Sequence, residues 1–463
     1  MTLWRSHGLA LVRAAVVTGL IAAVLADDVR AQCCGGGCGG GVRGRRQSVG
    51  GVFIDATGML LNTQSDDRAQ LREQRRKALE RTPGEMNEPT ELRKISLRRL
   101  EEAIVEQMQS GKPLSIEMRH LAGLQNIRYV LVYPEENDIV LAGFAEGFQV
   151  DPLGAIVGST TGRPVLMLDD LIVALRTARR AAQGGITCSI DPTPEGLQRL
   201  RDYVARISRA EDVSMEQIEK SLGAQQIRVG GVPASSHFAR VLVAADYRMK
   251  QIGMGHEKAP IPGLPSYLTM VTAGARGMQN MTPRWWMVPS YKPLVTDEDG
   301  LAWELRGGTV KTLTEETLFT ADGAKSQTGK TSPAAQRWAD LMTAKFDDLA
   351  AKDSVFGSLR NCMDLAVVAA LISHEGLAAR AGLAMSVLMD PTQLPAIELE
   401  IPKVVPTRAN AVPKGSNYVI SASGGVEIHP GKIIQKTEPA TTSLSPVRRQ
   451  AETGLAKKSW WWN

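Results

Sequence analysis

Few of the residues that announce a chemistry are plentiful in this chain. Aromatic residues make up 5% of its 463 positions, and its formal net charge is only +5, with lysines and arginines dispersed rather than gathered into one run. Without a phosphate-tracking stripe or a base-stacking platform, nothing points to a nucleic-acid partner. Histidines number six, and His374-Glu375 lacks the second histidine four residues on that would make a zinc-binding helix. Cysteines number five, too few for a disulfide-built scaffold of this length. What the chain does have is a 43% hydrophobic, 22% charged composition, the balance of a soluble globular protein with room for two or three domains.

The N-terminus reads as an address. Arg5 and Arg13 precede the apolar run Ala14–Ala26, which at 13 residues is too short to span a bilayer and ends at Asp27 and Asp28, whose charges are costly in hydrocarbon. Val29 and Ala31 then occupy the −3 and −1 positions of a signal-peptidase site. Residues 1–31 are therefore expected to be a cleaved signal peptide, and the mature chain to carry no transmembrane segment. Gln32 before Cys33 argues against a lipid-modified cysteine. Residues 32–49 open with QCCGGGCGGG, expected to be a flexible tether because glycine loses the most backbone entropy on ordering. Cys33, Cys34 and Cys38 match no closed zinc site, and neither a metal nor a cofactor is expected. Cys188 and Cys362 fall in folded-looking segments, where each is either a buried apolar thiol or half of a mutual disulfide.

An internal repeat is the most informative feature. GVFIDATGML at 51–60 is echoed by GFQVDPLGAI at 147–156, both fitting G-x-x-[IV]-D-x-x-G-x-[LI]. Leu97, Arg99 and Leu100 recur as Leu197, Arg199 and Leu200; Gly123, Gln125, Ile127 and Arg128 recur as Gly223, Gln225, Ile227 and Arg228. Residues 50–146 and 147–252 are therefore expected to be two copies of one α+β module. Each would turn a hairpin at Asp55–Gly58 or Asp151–Gly154 and continue as helix, helix and strand. Helical stripes run through Leu97, Leu100, Ile104 and Met108, and through Leu197, Leu200, Val204 and Ile207. Thr193-Pro194 and Ser214 with Gln217 mark helix starts. The second copy ends in SSHFARVLVAADYRMKQIG, expected to be an amphipathic helix capped by Ser236, with a buried strand through RVLVAA as the alternative. His237 beside Ser236 is expected to be a capping or surface histidine. Neighbours on a helix point about 100° apart, and no acid is assigned to orient the ring.

Residues 253–400 have another character. Prolines from Pro260 to Pro293 predict a loop-like stretch, in which TPRWWMVPSY sets Arg284, Trp285, Trp286 and Tyr291 together as a candidate contact patch; the alternative is that the tryptophans plug a core. LAWELRG and TVKTLTE predict a hairpin after a turn at Asp297–Gly300. AKSQTGKT at 324–331 fits a phosphate loop only loosely, with no buried strand leading in. A helix from Pro333 and an almost wholly apolar one, LRNCMDLAVVAALI, predict a helical domain with Arg360 and Asp364 paired at four-residue spacing. Residues 401–463 are expected to be a linker, a small hairpin in NYVISASGGVEI and a basic tail disordered from about 435.

RYVLVYPEENDIVLAG, STTGRPVLMLDDLIVAL, SIDPTPEGLQRL, HFARVLVAADYRMK, GMQNMTPRWWMVPSY and LRNCMDLAVVAALI together resemble a family of exported planctomycete proteins classed as a domain of unknown function, over roughly residues 50–390. The resemblance implies export and one long unit, and it carries no activity, cofactor or catalytic residue. The fold expected is α+β, a tandem duplicated hairpin-helix-helix-strand module followed by a mixed, mainly helical C-terminal region. The function expected is a non-catalytic binding or structural module of the periplasm or cell envelope that meets an envelope protein or glycan. The alternative is an exported hydrolase whose active site is assembled from residues distant in sequence.

Overall fold

The computed structural model describes residues 84–151, 154–207, 213–271, 283–315, 332–399, 403–411, 422–452 and 461–463, with strand segments at 52–54, 60–62, 317–319, 325–327 and 418–419. All of them lie in the compact unit Arg43–Asn463. The expected signal peptide, the Gly/Cys tract, the Asp55–Gly58 turn and most of AKSQTGKT fall outside the described residues.

Local chemistry sets the element boundaries. Strands β1 (Val52–Ile54) and β2 (Leu60–Asn62) form an antiparallel hairpin. Strand β3 (Thr90–Ser96) gives way to helix α1 (Leu97–Gln109) at Ser96, whose hydroxyl accepts the Arg99 N–H at 3.1 Å. The one-turn helix α2 (Ile116–Arg119) leads through Leu121, Ala122 and Gly123, all at positive φ, to the hairpin of β4 (Tyr129–Tyr133) and β5 (Asp138–Ala145). Glycine is required at 123, because a Cβ there would run into the Glu146 carbonyl. Strands β6 (Phe148–Val150) and β7 (Ile156–Gly158) close around Asp151, whose carboxylate accepts the Ala155 N–H at 2.7 Å.

Next come α3 (Leu168–Gly184), β8 (Ile186–Asp191), α4 (Pro194–Val204), α5 (Met215–Leu222), β9 (Gln225–Gly230) and α6 (His237–Gly253). Thr193, Ser214 and Ser236 each accept an amide from the first turn of the helix they precede. After α7 (Tyr267–Met270) follow β10 (Arg284–Ser290), β11 (Leu294–Thr296), β12 (Ala302–Glu304), β13 (Thr309–Glu315), β14 (Thr317–Phe319) and β15 (Lys325–Gln327). Four helices succeed them: α8 (Pro333–Ala344), α9 (Phe346–Lys352), α10 (Ser354–His374) and α11 (Leu377–Ala381). The remaining elements are β16 (Val404–Val405), β17 (Asn410–Ala411), β18 (Tyr418–Val419), β19 (Ser423–Ile428), α12 (Pro430–Ile434), β20 (Thr437–Pro439) and α13 (Ser445–Glu452).

The α+β fold is organised by two six-stranded sheets, ordered β13-β10-β19-β8-β9-β16 and β20-β11-β12-β4-β5-β3. Helix α6 packs on β8 and β19 of the first sheet and touches α3 and α10 as well. It is consequently not amphipathic: of its residues only His237 and Arg248 escape full burial. Helix α10 is long and apolar enough to cross a membrane by length and composition, yet its most apolar window is 94% buried inside the fold. It packs against α3, α6, α9, α11 and α12, so its apolar surface is that of a core helix. The second sheet is covered on both faces. Val130 and Val132 of β4 join the main core, whereas Tyr129, Leu131 and Tyr133 join a separate cluster with Leu444 and Ala451.

Segments 50–146 and 147–252 share the order β3–α1–α2–β4 and β8–α4–α5–β9, but their pairing differs. Strand β8 pairs directly with β9, while β5 lies between β3 and β4. Several expectations are corrected. The β12 and β13 segments form no hairpin; they belong to different sheets and the chain crosses over at Gly307, φ 67°. Strand β19 does not pair with β18 but lies between β10 and β8, where a Cβ on Gly424 or Gly425 would collide with the Trp285 or Cys188 carbonyl. The stretch 253–295 is not loop throughout, since β10 is an interior strand. Pro289 is tolerated there because pairing with β19 ends at Met287.

The tail expected to be disordered is ordered wherever it is described. Strand β20 pairs with β11 at one edge of the second sheet, and α13 contributes to the outer cluster. Residues 461–463 then bond to Lys94 and Ser96 of β3 at the other edge. The apolar outer face of that sheet requires a cover, and the tail supplies it. Tyr133 Oη donates to the Arg448 carbonyl at 2.7 Å and Arg448 Nε to the Val132 carbonyl at 3.0 Å.

Candidate functional site

Strand alternation divides the expected contact patch. Trp285 is fully buried, with its ring centroid 4.2 Å from Trp338 and 5.5 Å from Tyr267. Trp286, on the opposite face, is half-buried beneath Arg284, whose guanidinium carbon lies 4.5 Å from the ring centroid. The Tyr291 hydroxyl donates to Asp364 of α10; burial raises the phenol well above its ordinary value and pushes the carboxyl up to about 6. Arg360 forms its ion pair with Asp347, at 3.8 Å, rather than with Asp364. The four residues thus do not form one patch: Trp285 is part of the core, Tyr291 is tied to α10, and only Arg284 and Trp286 stay together.

Cys188 and Cys362 are both buried and free, so no disulfide joins them. Cys188 on β8 sits near Asp246 and Lys250, whereas Cys362 on α10 sits near Asp170, and α6 packs between β8 and α10. Burial raises both thiols well above the usual range. Among the described residues no group of three His, Cys, Asp or Glu side chains is placed to hold a metal ion.

His237 gains a partner that its sequence neighbours do not reveal. It stands in the first turn of α6, and contact between α6 and α3 brings its Nδ1 to 3.0 and 2.9 Å from the two carboxylate oxygens of Asp170. Burial disfavours a charged imidazole, but Asp170 and the nearby Asp169 outweigh it, so the His237 pKa is raised. Ser236 is engaged elsewhere: its hydroxyl donates to the Pro233 carbonyl at 2.6 Å and accepts the Ala239 N–H at 3.1 Å. Cys362 feels the charge of the acid and is kept protonated by burial, so it is no attacking thiolate either.

Asp169, next to the histidine's partner, lines a cleft of about 270 Å³. Leu168, Asp169 and Ile172 of α3 contribute to one side. Met108 of α1, with Lys112 and Leu114 beyond it, and Arg119 of α2 contribute to another; residues 393–395 and Ile397 complete the lining. That last wall has no regular structure, and side chains satisfy much of its backbone. Arg176 of α3 donates from Nε to the Leu388 carbonyl at 2.8 Å and from Nη2 to the Asp390 and Leu394 carbonyls at 3.1 and 2.8 Å. Glu101 of α1 accepts the amides of Val387 and Leu388. Asp169 accepts the Ile397 N–H at 2.9 Å, and the Leu399 N–H reaches the Ser235 carbonyl at 2.7 Å. Bonds from the side chains of Thr392 and Gln393 hold the Asp390 carboxyl down at about 2, whereas burial pushes Asp169 up against the bond from Ile397.

The run from β8 into the start of α7 contains His237 together with the buried Asp246 and Lys250. Residues 188–267 match the family described as Protein of unknown function (DUF1598). This domain of unknown function comprises β8, α4, α5, β9 and α6; it supplies His237 but neither Asp170 nor any residue lining the cleft. No curated protein and no solved structure matches the chain.

Proposed function

We propose that the protein is a non-catalytic binding module of the periplasm or cell surface, with its ligand site in the cleft beside α1, α2 and α3. The observation that carries this reading is the irregular wall at 387–397, whose backbone is held by Arg176, Glu101 and Asp169. Such anchoring preforms a concave surface and lowers the ordering cost of binding. Export is supported by Arg5, Arg13, the apolar run to Ala26 and the Val29-x-Ala31 site. A tandem origin is supported by the repeated residues and the shared element order, and the half-buried Arg284–Trp286 pair supports a second contact with an envelope protein or glycan.

One observation favours a second reading, the exported hydrolase: His237 and Asp170 form an imidazole–carboxylate pair from distant parts of the chain. Against it, the Ser236 hydroxyl is already engaged and the Cys362 thiol is fully buried and held protonated. The purified protein should turn over no chromogenic ester, phosphate or glycoside faster than its His237→Gln variant. Methyl NMR with small amphiphiles should shift Met108, Ile172 and Ile397 selectively. Turnover that disappears in H237Q would overturn the binding reading, and the mature N-terminus should begin at Gln32.

A further inference from the structure

The cleft combines two features that proteins seldom leave unanswered. Met108, Leu313, Met389 and Ile397 are the large hydrophobic side chains exposed among the described residues, and two of the four, Met108 at 41% and Ile397 at 44%, line this one cleft. The buried Leu168 and Ile172 line the same cleft and add to its apolar surface. Charge is the second feature. Lys112 and Arg119 also line the cleft, and neither makes an ion pair among the described residues. Arg119 is tethered rather than loose: its Nε donates to the Leu114 carbonyl at 3.1 Å, and among the described residues its Nη atoms make no hydrogen bond. The one acid in the lining, Asp169, accepts the Ile397 N–H and feels the Arg119 charge, so the lining holds two cations against one carboxylate and keeps a net positive charge.

We propose that this cleft binds a linear aliphatic carboxylate. The hydrocarbon chain lies along Leu168, Ile172, Leu394 and Ile397, and the carboxylate meets the Arg119 fork with Lys112 as a second cation. A volume of about 270 Å³ lies at the small end of ligand pockets, which fits one short chain and excludes a two-chain lipid. The assignment rests on the cleft being the binding site.

The test is a methyl-NMR titration of the full chain with butyrate, hexanoate and octanoate, with 1-octanol and octylammonium as neutral and cationic controls. Octanoate should shift the Met108, Ile172 and Ile397 methyls saturably and bind best, with affinity rising about fourfold per added methylene. Octylammonium should bind at least about tenfold more weakly, and Arg119→Gln should erase a preference of about tenfold for octanoate over octanol. Lys112→Gln, at an exposed position, should lower that preference without any fold change and guards against misfolding of the first variant. If octanol and octylammonium match octanoate, the carboxylate assignment falls while the cleft remains a binding site. If none of the ligands shifts these methyls, both fall.

Discussion

Replacing Lys250 by methionine tests the charge pair buried under α6. The Lys250 side chain is 5% exposed, and its Nζ donates to Asp246 Oδ2 at 2.9 Å, to the Ile190 carbonyl at 2.9 Å and to the Gly424 carbonyl at 3.3 Å. Asp246 is wholly buried, its Oδ1 has no hydrogen-bond partner among the described residues, and desolvation pushes its pKa up to about 7 against the pull of Lys250. The ordinary value is 3.8, so between the two the folded state holds a proton that the unfolded chain has released. Stability therefore falls as pH rises through that window and levels off above it. In Lys250→Met the carboxyl loses the cation that favours its ionised form and stays protonated to higher pH, so the fall continues at about 1.4 kcal/mol per pH unit. Between pH 7 and pH 9 the variant should lose roughly 3 kcal/mol that the parent keeps. A further ~1–3 kcal/mol, independent of pH, comes from the two carbonyls left without their donor. Urea unfolding followed by tryptophan fluorescence at pH 5, 7 and 9 measures both parts. The parent–variant gap should widen only above pH 7, and adding Asp246→Leu should abolish the widening. A gap of constant size at all three pH values, or one that widens in the double variant too, refutes the reasoning.

Trp285→Ala should cost about 3–5 kcal/mol, because the ring is fully buried against Trp338 and Tyr267, while Trp286→Ala should stay within about 1 kcal/mol; paired thermal melts separate the two. Arg176→Met strands three carbonyls of the cleft wall and should destabilise by about 2–3 kcal/mol. Hydrogen exchange should quicken across 388–397 but not in β4 and β5, and a uniform increase would count against local anchoring. His237 has its pKa raised because Asp170 and Asp169 outweigh burial, so the stability it contributes is fully present below its ordinary 6.5 and lost as pH rises through the higher folded value. The gap between parent and H237Q should therefore shrink on raising the pH; a gap that grows contradicts the pairing.

What was legible in the sequence was local. Thr193, Ser214 and Ser236 cap helices because a hydroxyl can satisfy first-turn amides whatever the rest of the chain does, and the Asp151 turn closes on its own carboxylate. Sheet membership was not legible, because strand partners are chosen by packing at long range. A hairpin was expected in NYVISASGGVEI, whereas its Gly424 and Gly425 mark close approach of two flanking strands. The tail misled through composition. Its Pro, Ser, Thr and Arg content outweighed a short stripe of Leu444, Val447 and Ala451 that covers Tyr129, Leu131 and Tyr133. The site was invisible for a related reason: acids at the start of α3 match the ordinary preference of a helix N-terminus, and nothing nearby shows that they face His237 and Ile397.

The matched segment 188–267 cannot be an independent folding unit, and this limits where function is to be sought. Its central helix α6 is buried on every side, yet α3, α10 and β19, which cover it, all lie outside the segment. Lys250 completes its bonding only with the Gly424 carbonyl, and β8 needs β19 along one edge. Excision would expose nearly the whole apolar surface of α6 and leave the Lys250–Asp246 pair facing water, with little core to offset the entropy of ordering. A fragment spanning 188–267 should therefore show little fixed structure by circular dichroism and collapsed amide dispersion by NMR. A cooperative melt would show that β8, β9 and α6 hold together without their neighbours. In the full chain α6 is the element of this segment that packs against α3, alongside α10 and α12 from outside it, and α3 carries Asp169, Asp170 and Arg176 to the histidine and the cleft. The segment thus reaches the proposed binding cleft through the contact of α6 with α3.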